Sequence, residues 1–477
     1  MATKRDLVEA HSFSRRRLVT AFVSGAPGGR EVEPARPGRT IVGGVALSVL
    51  LIAGAAVTGV FSDRPPSDWD SPGLVISKEQ GAAYVILEEP EDGSPPELRP
   101  VINITSAMLI LGAEGLEPRI VSQDTIETRP LGEDIGILNA PASLPTPADL
   151  IDSGWTACTG PDLGLAVQVS ATPGVTTLGD AEAALVKVRG AGLWLVATAP
   201  EGEEPAQAYR YALPDGDRSG TDAFLREVGI DGGTSAAVEV PREWLDLFPR
   251  GGDLDQESFA LQDLGEPAPG TSGARVGDYA VTDDGGVLVG DDGGLQSLSP
   301  FALALWRNLD VRGKQPKERP ELEAPSAAAG YTEARWPTTT LTRVAGQTCA
   351  LLESSAEAAP LVRLAGSPVE DASAELVPDP EERLVTVDPG AGAYVVTGEW
   401  GTDTVPEPGT GSRFVVDQKG RVDALVGADT PELLGYGSYP APLVPSSWLD
   451  LFSAGVALSQ EAALCPPQPE GGTSSCA

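Results

Sequence analysis

The chain has 477 residues, 33 of them Lys or Arg and 69 Asp or Glu, which gives a formal net charge of −36. Broad nucleic-acid binding is excluded, because phosphate contacts need clustered cations. The single histidine, His11, excludes a histidine base or a histidine-rich metal site elsewhere in the chain, while a 41% apolar fraction supports a packed core.

The charge is unevenly placed. Residues 1–40 hold eight Lys or Arg against four acids, a balance of +4, and the remaining 437 residues carry −40. Residues 5–24 have few helix breakers. Leu18, Val19, Phe22 and Val23 fall one turn apart beside Arg15, Arg16 and Arg17, and Gly25 and Pro27 end the pattern. This predicts an amphipathic helix in a basic cytoplasmic arm. It would dock on a partner through Arg5, Phe13, Arg15, Arg16, Arg17 and Phe22, because a bare topology flank needs no apolar stripe.

Residues 41–61, IVGGVALSVLLIAGAAVTGVF, carry no charged side chain. As a helix they reach roughly 30 Å, enough to cross a bilayer core. The run is longer than the apolar core of a cleaved signal peptide. The positive-inside rule places residues 1–40 in the cytoplasm and the rest outside it. The expected organisation is therefore a basic arm (1–40), a transmembrane helix (41–61), two extracytoplasmic halves (62–270 and 271–464) and a flexible tail (465–477).

The two halves are read from an internal repeat. PxxWLDLF occurs at residues 241–248 and again at 445–452, so Trp244 and Phe248 match Trp448 and Phe452. These four are expected to pack equivalent parts of the two halves. Gly192 is matched with Gly392, Cys158 with Cys349, and Ala83-Tyr84-Val85 loosely with Asp278-Tyr279-Ala280. The runs AAYVIL (82–87), LWLVAT (193–198) and YVVT (394–397) predict strands. The class is mixed α+β, with β-rich repeat domains and no regular alternation of strand and helix.

All four cysteines follow the apolar run, which suits disulfides in an oxidising compartment. Four cysteines allow three connectivities. The repeat favours Cys158–Cys349, with Cys465–Cys476 as the second pair. No CxxC or neighbouring histidine suggests zinc.

The acidic loops invite a calcium reading, but in the loop starting at Asp215 position twelve is Arg226, where a bidentate Glu is required. Asp283-Asp284-Gly285-Gly286 and Asp291-Asp292-Gly293-Gly294 read as turns around a strand. No phosphate-binding loop occurs, since the Gly313-Lys314 pair is followed by Gln315. No GxSxG elbow is present. No catalytic, cofactor-binding or metal-binding residue is nominated. A carboxylate-based ectoenzyme, including a nucleotide hydrolase, and a lone cell-envelope binding protein stand as alternatives.

The pattern Arg5-Asp6-x-Val8-x-Ala10-x-x-Phe13-x-x-Arg16-Arg17-x-Val19-x-Ala21-x-x-Ser24-Gly25, followed by one span, resembles the EccB component of actinobacterial type VII (ESX) secretion systems. Gly81-Ala82-Ala83-Tyr84-Val85, the segment ending SAMLILG at Gly112, residues 135–145 and Trp155-Thr156-x-Cys158 extend the resemblance past the span. It implies a single-span subunit of an inner-membrane secretion complex, without a cofactor. Its implied partners are an FtsK-like ATPase, multispan membrane subunits, a mycosin protease and further copies of itself. It also implies an elongated extracytoplasmic region of quasi-two-fold repeat domains around a β core, with one disulfide joining the halves. The family has been described as an ATPase, and no motif here supports that activity.

Overall fold

The computed structural model describes residues 65–201, 204–214, 218–308, 316–322, 329–331, 334–366, 379, 382–401 and 411–467. The basic arm and the apolar run at 41–61 lie outside the described residues. Among the described residues no helix is long and apolar enough to cross a membrane.

The centre is a six-stranded sheet in the order Arg383–Val387, Leu165–Val169, Trp155–Thr159, Thr348–Glu353, Leu361–Gly366, Thr176–Thr177. Its strands are rich in Val, Ala and Thr. Leu165–Val169 alternates buried and half-buried positions, the period expected of a strand covered mainly on one face. Two hairpins supply the middle four strands. They meet antiparallel with Cys158 opposite Cys349, so a quasi-two-fold axis runs through that pair. The outer strands are exchanged. Thr176–Thr177 continues the first hairpin in sequence but pairs with Leu361–Gly366 of the second. Arg383–Val387 follows the second hairpin but pairs with Leu165–Val169 of the first.

Two five-stranded sheets flank the centre. In one, Glu182–Val188, Gly192–Glu201 and Glu204–Ala212 form a meander, with Val238–Glu239 and Thr342–Arg343 parallel to the first strand. In the other, Ala393–Gly398, Arg413–Val416 and Arg421–Leu425 form the meander, with Leu443–Pro445 and Ser453–Leu458 parallel at the two edges. Two smaller sheets each lead into a helix. The strands Gly73–Ser77, Ala83–Ile86, Arg99–Pro100 and Arg119–Val121 accompany helix Ile104–Leu111. The strands Tyr279–Thr282, Gly285–Val289 and Leu295–Leu298 accompany helix Pro300–Asn308. Asn103 caps the first helix by accepting from Ser106 N at 2.8 Å, and Gly112 ends it at φ 77°.

The exchange extends to these lobes. Helix Ile104–Leu111 packs on the second-half sheet around Tyr394, Val415, Leu434, Tyr436 and Leu458. Helix Pro300–Asn308 packs on the first-half sheet, where Phe301 meets Phe224 edge-on at 5.4 Å. The linkers cross as well. Ile151 N donates to Gly392 O at 2.8 Å, and Thr342–Arg343 docks on Glu182 and Ala183. Glycine permits one such crossing: Gly229 has φ +97°, and a Cβ there would run into the Leu341 carbonyl oxygen. The repeat divides the sequence at about residue 270, but no division in space follows it, since each half buries apolar surface supplied by the other.

Two sequence matches are corrected by one strand. Ala393–Gly398 corresponds to Glu182–Val188, since each lies parallel to the strand running into PxxWLDLF, whereas Gly192 begins the next strand of its meander. Likewise Tyr279–Thr282 is the first strand of its small sheet and Ala83–Ile86 the second. Neighbouring strands of a meander share the same two-residue apolar period, so pattern alone does not separate them.

Candidate functional site

The disulfide Cys158–Cys349 joins the two central hairpins and closes a sequence separation of 191 residues. Around it the two WLDLF segments form short helices, Arg242–Leu245 and Ser446–Leu449. Each starts after a proline in extended geometry, Pro241 at φ −59° and Pro445 at φ −60°. Trp244, Phe248, Trp448 and Phe452 all enter one core with Trp155 and the central sheet. Trp244 Nε1 donates to Ala157 O at 3.0 Å, and its ring meets Phe248 edge-on at 5.0 Å. Phe452 meets Trp155 at 5.4 Å. Trp448 breaks the symmetry, because its Nε1 is buried with no hydrogen-bond partner. Trp155 escaped the repeat comparison: the position equivalent by the cysteine offset is Gly346, so no pair marks it. The aspartates of WLDLF diverge too. Asp246 pairs with Arg210, whereas the Asp450 carbonyl accepts from Arg383 at 3.1 Å.

Polar groups tie the linkers to the opposite half. Tyr436 Oη donates to Pro145 O at 2.6 Å, and Tyr439 Oη to Asp152 Oδ1 at 2.8 Å. Tyr394 stacks on Tyr436 at 4.9 Å. Burial pushes the Asp152 carboxyl up against the opposing effect of the Tyr439 hydrogen bond, and burial raises all three tyrosines. These partners lie 287 and more residues apart, and no local sequence pattern announces them.

Among the described residues three carboxylates are buried, Asp278, Asp417 and Asp423. Burial pushes Asp278 up, but donors from Lys317 N, Arg275 N and Arg319 outweigh it and hold the group below its ordinary value. Asp423 is raised by burial. Its Oδ1 accepts from Val456 N at 2.7 Å, where the pairing between Arg421–Leu425 and Ser453–Leu458 shifts register, and its Oδ2 has no partner.

A cleft of about 720 Å³ opens between the central sheet and the first WLDLF segment. Its charged lining is Asp162, Arg189, Glu239, Arg242, Glu243, Glu382 and Arg383. The signs nearly cancel, and Arg189 is bound to Glu239 at 3.0 Å. Among the described residues no three His, Cys, Asp or Glu side chains stand where they could hold a metal ion. The Asp283 and Asp291 loops are turns bracketing Gly285–Val289.

The docking residues Arg5, Phe13, Arg15, Arg16, Arg17 and Phe22 lie outside the described residues, as does the loop at 215–217. Cys465 is buried and disulfide-bonded, while Cys476, its expected partner, lies outside the described residues.

A β-rich α+β scaffold whose two repeats exchange strands and whose centre is locked by a disulfide defines the class of fold. The chain belongs to the EccB family: the family described as type VII secretion system ESX-1, transport TM domain B, matches residues 1–467. It is 30% identical over 478 residues to the ESX-3 secretion system ATPase EccB3 of Mycobacterium tuberculosis, covering 91% of this chain and 84% of the relative. The protein of the same name from Mycolicibacterium smegmatis is 27% identical over 508 residues, with 97% and 91% covered. Among solved structures, an EccB3 dimer from the ESX-3 core complex aligns with TM-score 0.60 and 23% identity, over 82% of this chain and all of that one. A chain of an intact ESX-5 inner membrane complex aligns with TM-score 0.58 and 22% identity, over 99% and 97%. Both share the mixed α+β fold.

Proposed function

We propose that this chain is a structural subunit of a type VII secretion inner-membrane complex. Residues 41–61 anchor it as a single-pass protein with a cytoplasmic N-terminus, and the part from residue 62 onward contributes to the extracytoplasmic assembly. The observation carrying this reading is the family match across residues 1–467. The solved relatives come from an intact ESX-5 inner membrane complex and from the ESX-3 core complex. The implied partners are an FtsK-like ATPase, multispan subunits, a mycosin protease and further copies of the chain. The arm docks through Arg5, Phe13, Arg15, Arg16, Arg17 and Phe22.

The test is a tagged pull-down from native membranes in mild detergent, read by mass spectrometry. Co-purification of an FtsK-like ATPase and a multispan subunit is expected. Recovery of the chain alone, in a detergent that preserves such complexes, refutes the assignment. Arg16→Ala with Phe22→Ala is expected to lower partner recovery severalfold with membrane insertion unchanged, and unchanged recovery removes the docking role. The rival reading is a nucleotide-hydrolysing ectoenzyme, which the word ATPase in the relatives' names favours. It requires steady turnover by the purified extracytoplasmic part that a single carboxylate substitution abolishes.

A further inference from the structure

The central sheet has one open edge. Arg383–Val387 is its outermost strand, and among the described residues no strand pairs with its far side. Leu165 N donates to Glu382 O at 3.0 Å, and Asp388 N donates to Val169 O at 3.0 Å. The alternation of a parallel ladder then turns residues 382, 384, 386 and 388 toward Leu165–Val169. It leaves the backbone N–H and C=O groups of Arg383, Val385 and Val387 facing outward. Two other edges are blunted. Thr176–Thr177, on the opposite side of the same sheet, is two residues long, and Ser453–Leu458 shifts register against its neighbour. Arg383–Val387 runs five residues in unbroken register, RLVTV, with no proline and no bulge. An edge of that kind is a template for a further strand.

The edge begins in the cleft of about 720 Å³, which Glu382 and Arg383 line. Leu163, Leu165, Val188, Val240 and Pro241 give that cleft an apolar wall. Its cations are already engaged. Arg189 is held by Glu239 at 3.0 Å and Arg242 by Asp246 at 3.5 Å, and Arg383 donates to Asp450 O at 3.1 Å. The Asp162, Glu243 and Glu382 carboxylates form no ion pair or hydrogen bond among the described residues. With Asp246 included, five carboxylates stand against three guanidiniums. The charge left over is negative, in a chain of net charge −36. That selects a cationic guest and disfavours a second copy of this chain.

We propose that Arg383–Val387 takes a seventh strand, an extended lysine- or arginine-bearing segment of a different polypeptide, which lays a cationic side chain in the cleft against Asp162, Glu243 and Glu382. Main-chain pairing supplies the affinity, and the acidic cleft supplies the choice of segment. The proposal goes beyond the secretion-subunit reading and is tested without it.

The experiment titrates the full-length chain in mild detergent with two fluorescent peptides of equal length, one alternating lysine and valine and one alternating glutamate and valine. The lysine peptide is expected to bind about tenfold more tightly or better. Glu243→Gln with Glu382→Gln is expected to weaken it about fivefold. Asp283→Asn with Asp284→Asn, exposed acids in a turn of another sheet, should weaken it less than about twofold. Val385→Pro removes an outward N–H while sparing the ladder to Leu165–Val169, and should weaken binding about tenfold. Bound peptide should slow amide exchange at Val385 and Val387 about tenfold, a mark of strand addition that surface attraction does not leave. Equal affinity for the two peptides, equal effects of the two acid pairs, or unchanged exchange at Val385 and Val387 overturns the proposal. If Val385→Pro also lowers the unfolding midpoint, the glutamine pair and the exchange rates decide. In native membranes, Leu384→Cys, at an exposed position of the edge, is treated with a thiol-to-amine cross-linker. It should join a different polypeptide, and the product should fall when Val385→Pro is added. Joining to a second copy of this chain, or to nothing, overturns the proposal.

Discussion

The two tryptophans of the WLDLF motif allow one substitution to be compared with itself. Trp244 and Trp448 are both 0% exposed in the same core, so Trp→Phe removes a similar apolar volume and opens a similar cavity at each. The polar consequences are opposite. At Trp244 the substitution removes a 3.0 Å hydrogen bond to Ala157 O, with a net loss of about 1 kcal/mol. At Trp448 it removes a buried N–H that has no partner, which relieves a desolvation cost of about 1–3 kcal/mol. Because the cavity terms largely cancel, Trp244→Phe is expected to be more destabilising than Trp448→Phe by about 2–4 kcal/mol. The assay is guanidinium unfolding of the part from Arg64 onward, which forms its own compact unit, with disulfides intact and far-ultraviolet circular dichroism as the signal. Equal losses, or a larger loss at Trp448, would refute the assignment of these polar contributions.

Cys349→Ser opens a loop of 191 residues, for which the chain-entropy treatment gives a loss of about 5 kcal/mol. The wild-type denaturant midpoint should fall when reductant is added, whereas the variant's midpoint should not respond to reductant at this bridge. The buried carboxylates should respond to pH with opposite sign. Asp423 has a raised folded value through burial, so its native state binds a proton more tightly than the unfolded chain does, and stability grows as pH falls through that value. Asp423→Asn is therefore expected to raise the unfolding midpoint near neutral pH, with the gain vanishing below the ordinary carboxylate value of 3.8. Asp278 has a depressed folded value, so its contribution is present above 3.8 and lost as pH falls through the lower value. Asp278→Asn is expected to lower the midpoint at neutral pH and to matter less in acid. Unfolding midpoints measured from pH 3 to pH 8 check both.

Some of this architecture was legible in the residues. The strands at 82–87, 193–198 and 394–397 stood out because β-branched and aromatic residues cluster between turn signals. The pairing of Cys158 with Cys349 followed from an offset close to that of the WLDLF repeat. What stayed hidden was the crossing of the halves. Burial of Tyr436 against Pro145, or of Phe301 against Phe224, is set by long-range packing that a one-dimensional period does not encode. The slip of Gly192 by one strand has the same origin, since adjacent strands of a meander carry one interchangeable pattern.

The crossing also explains why the disulfide sits where it does. A molecule of two side-by-side halves would open by separating them, and one bridge anywhere along the seam would resist that. Here each half supplies an outer strand, a linker and a helix to the other, so the halves cannot part without unpairing the central sheet. The strands Trp155–Thr159 and Thr348–Glu353 are the one place in that sheet where the two hairpins meet directly. A covalent bond between their opposed residues therefore holds the contact on which every other exchange depends. Reduction is expected to loosen both lobes together, a coupling that amide hydrogen exchange measured separately at Tyr394 and at Phe301 would reveal.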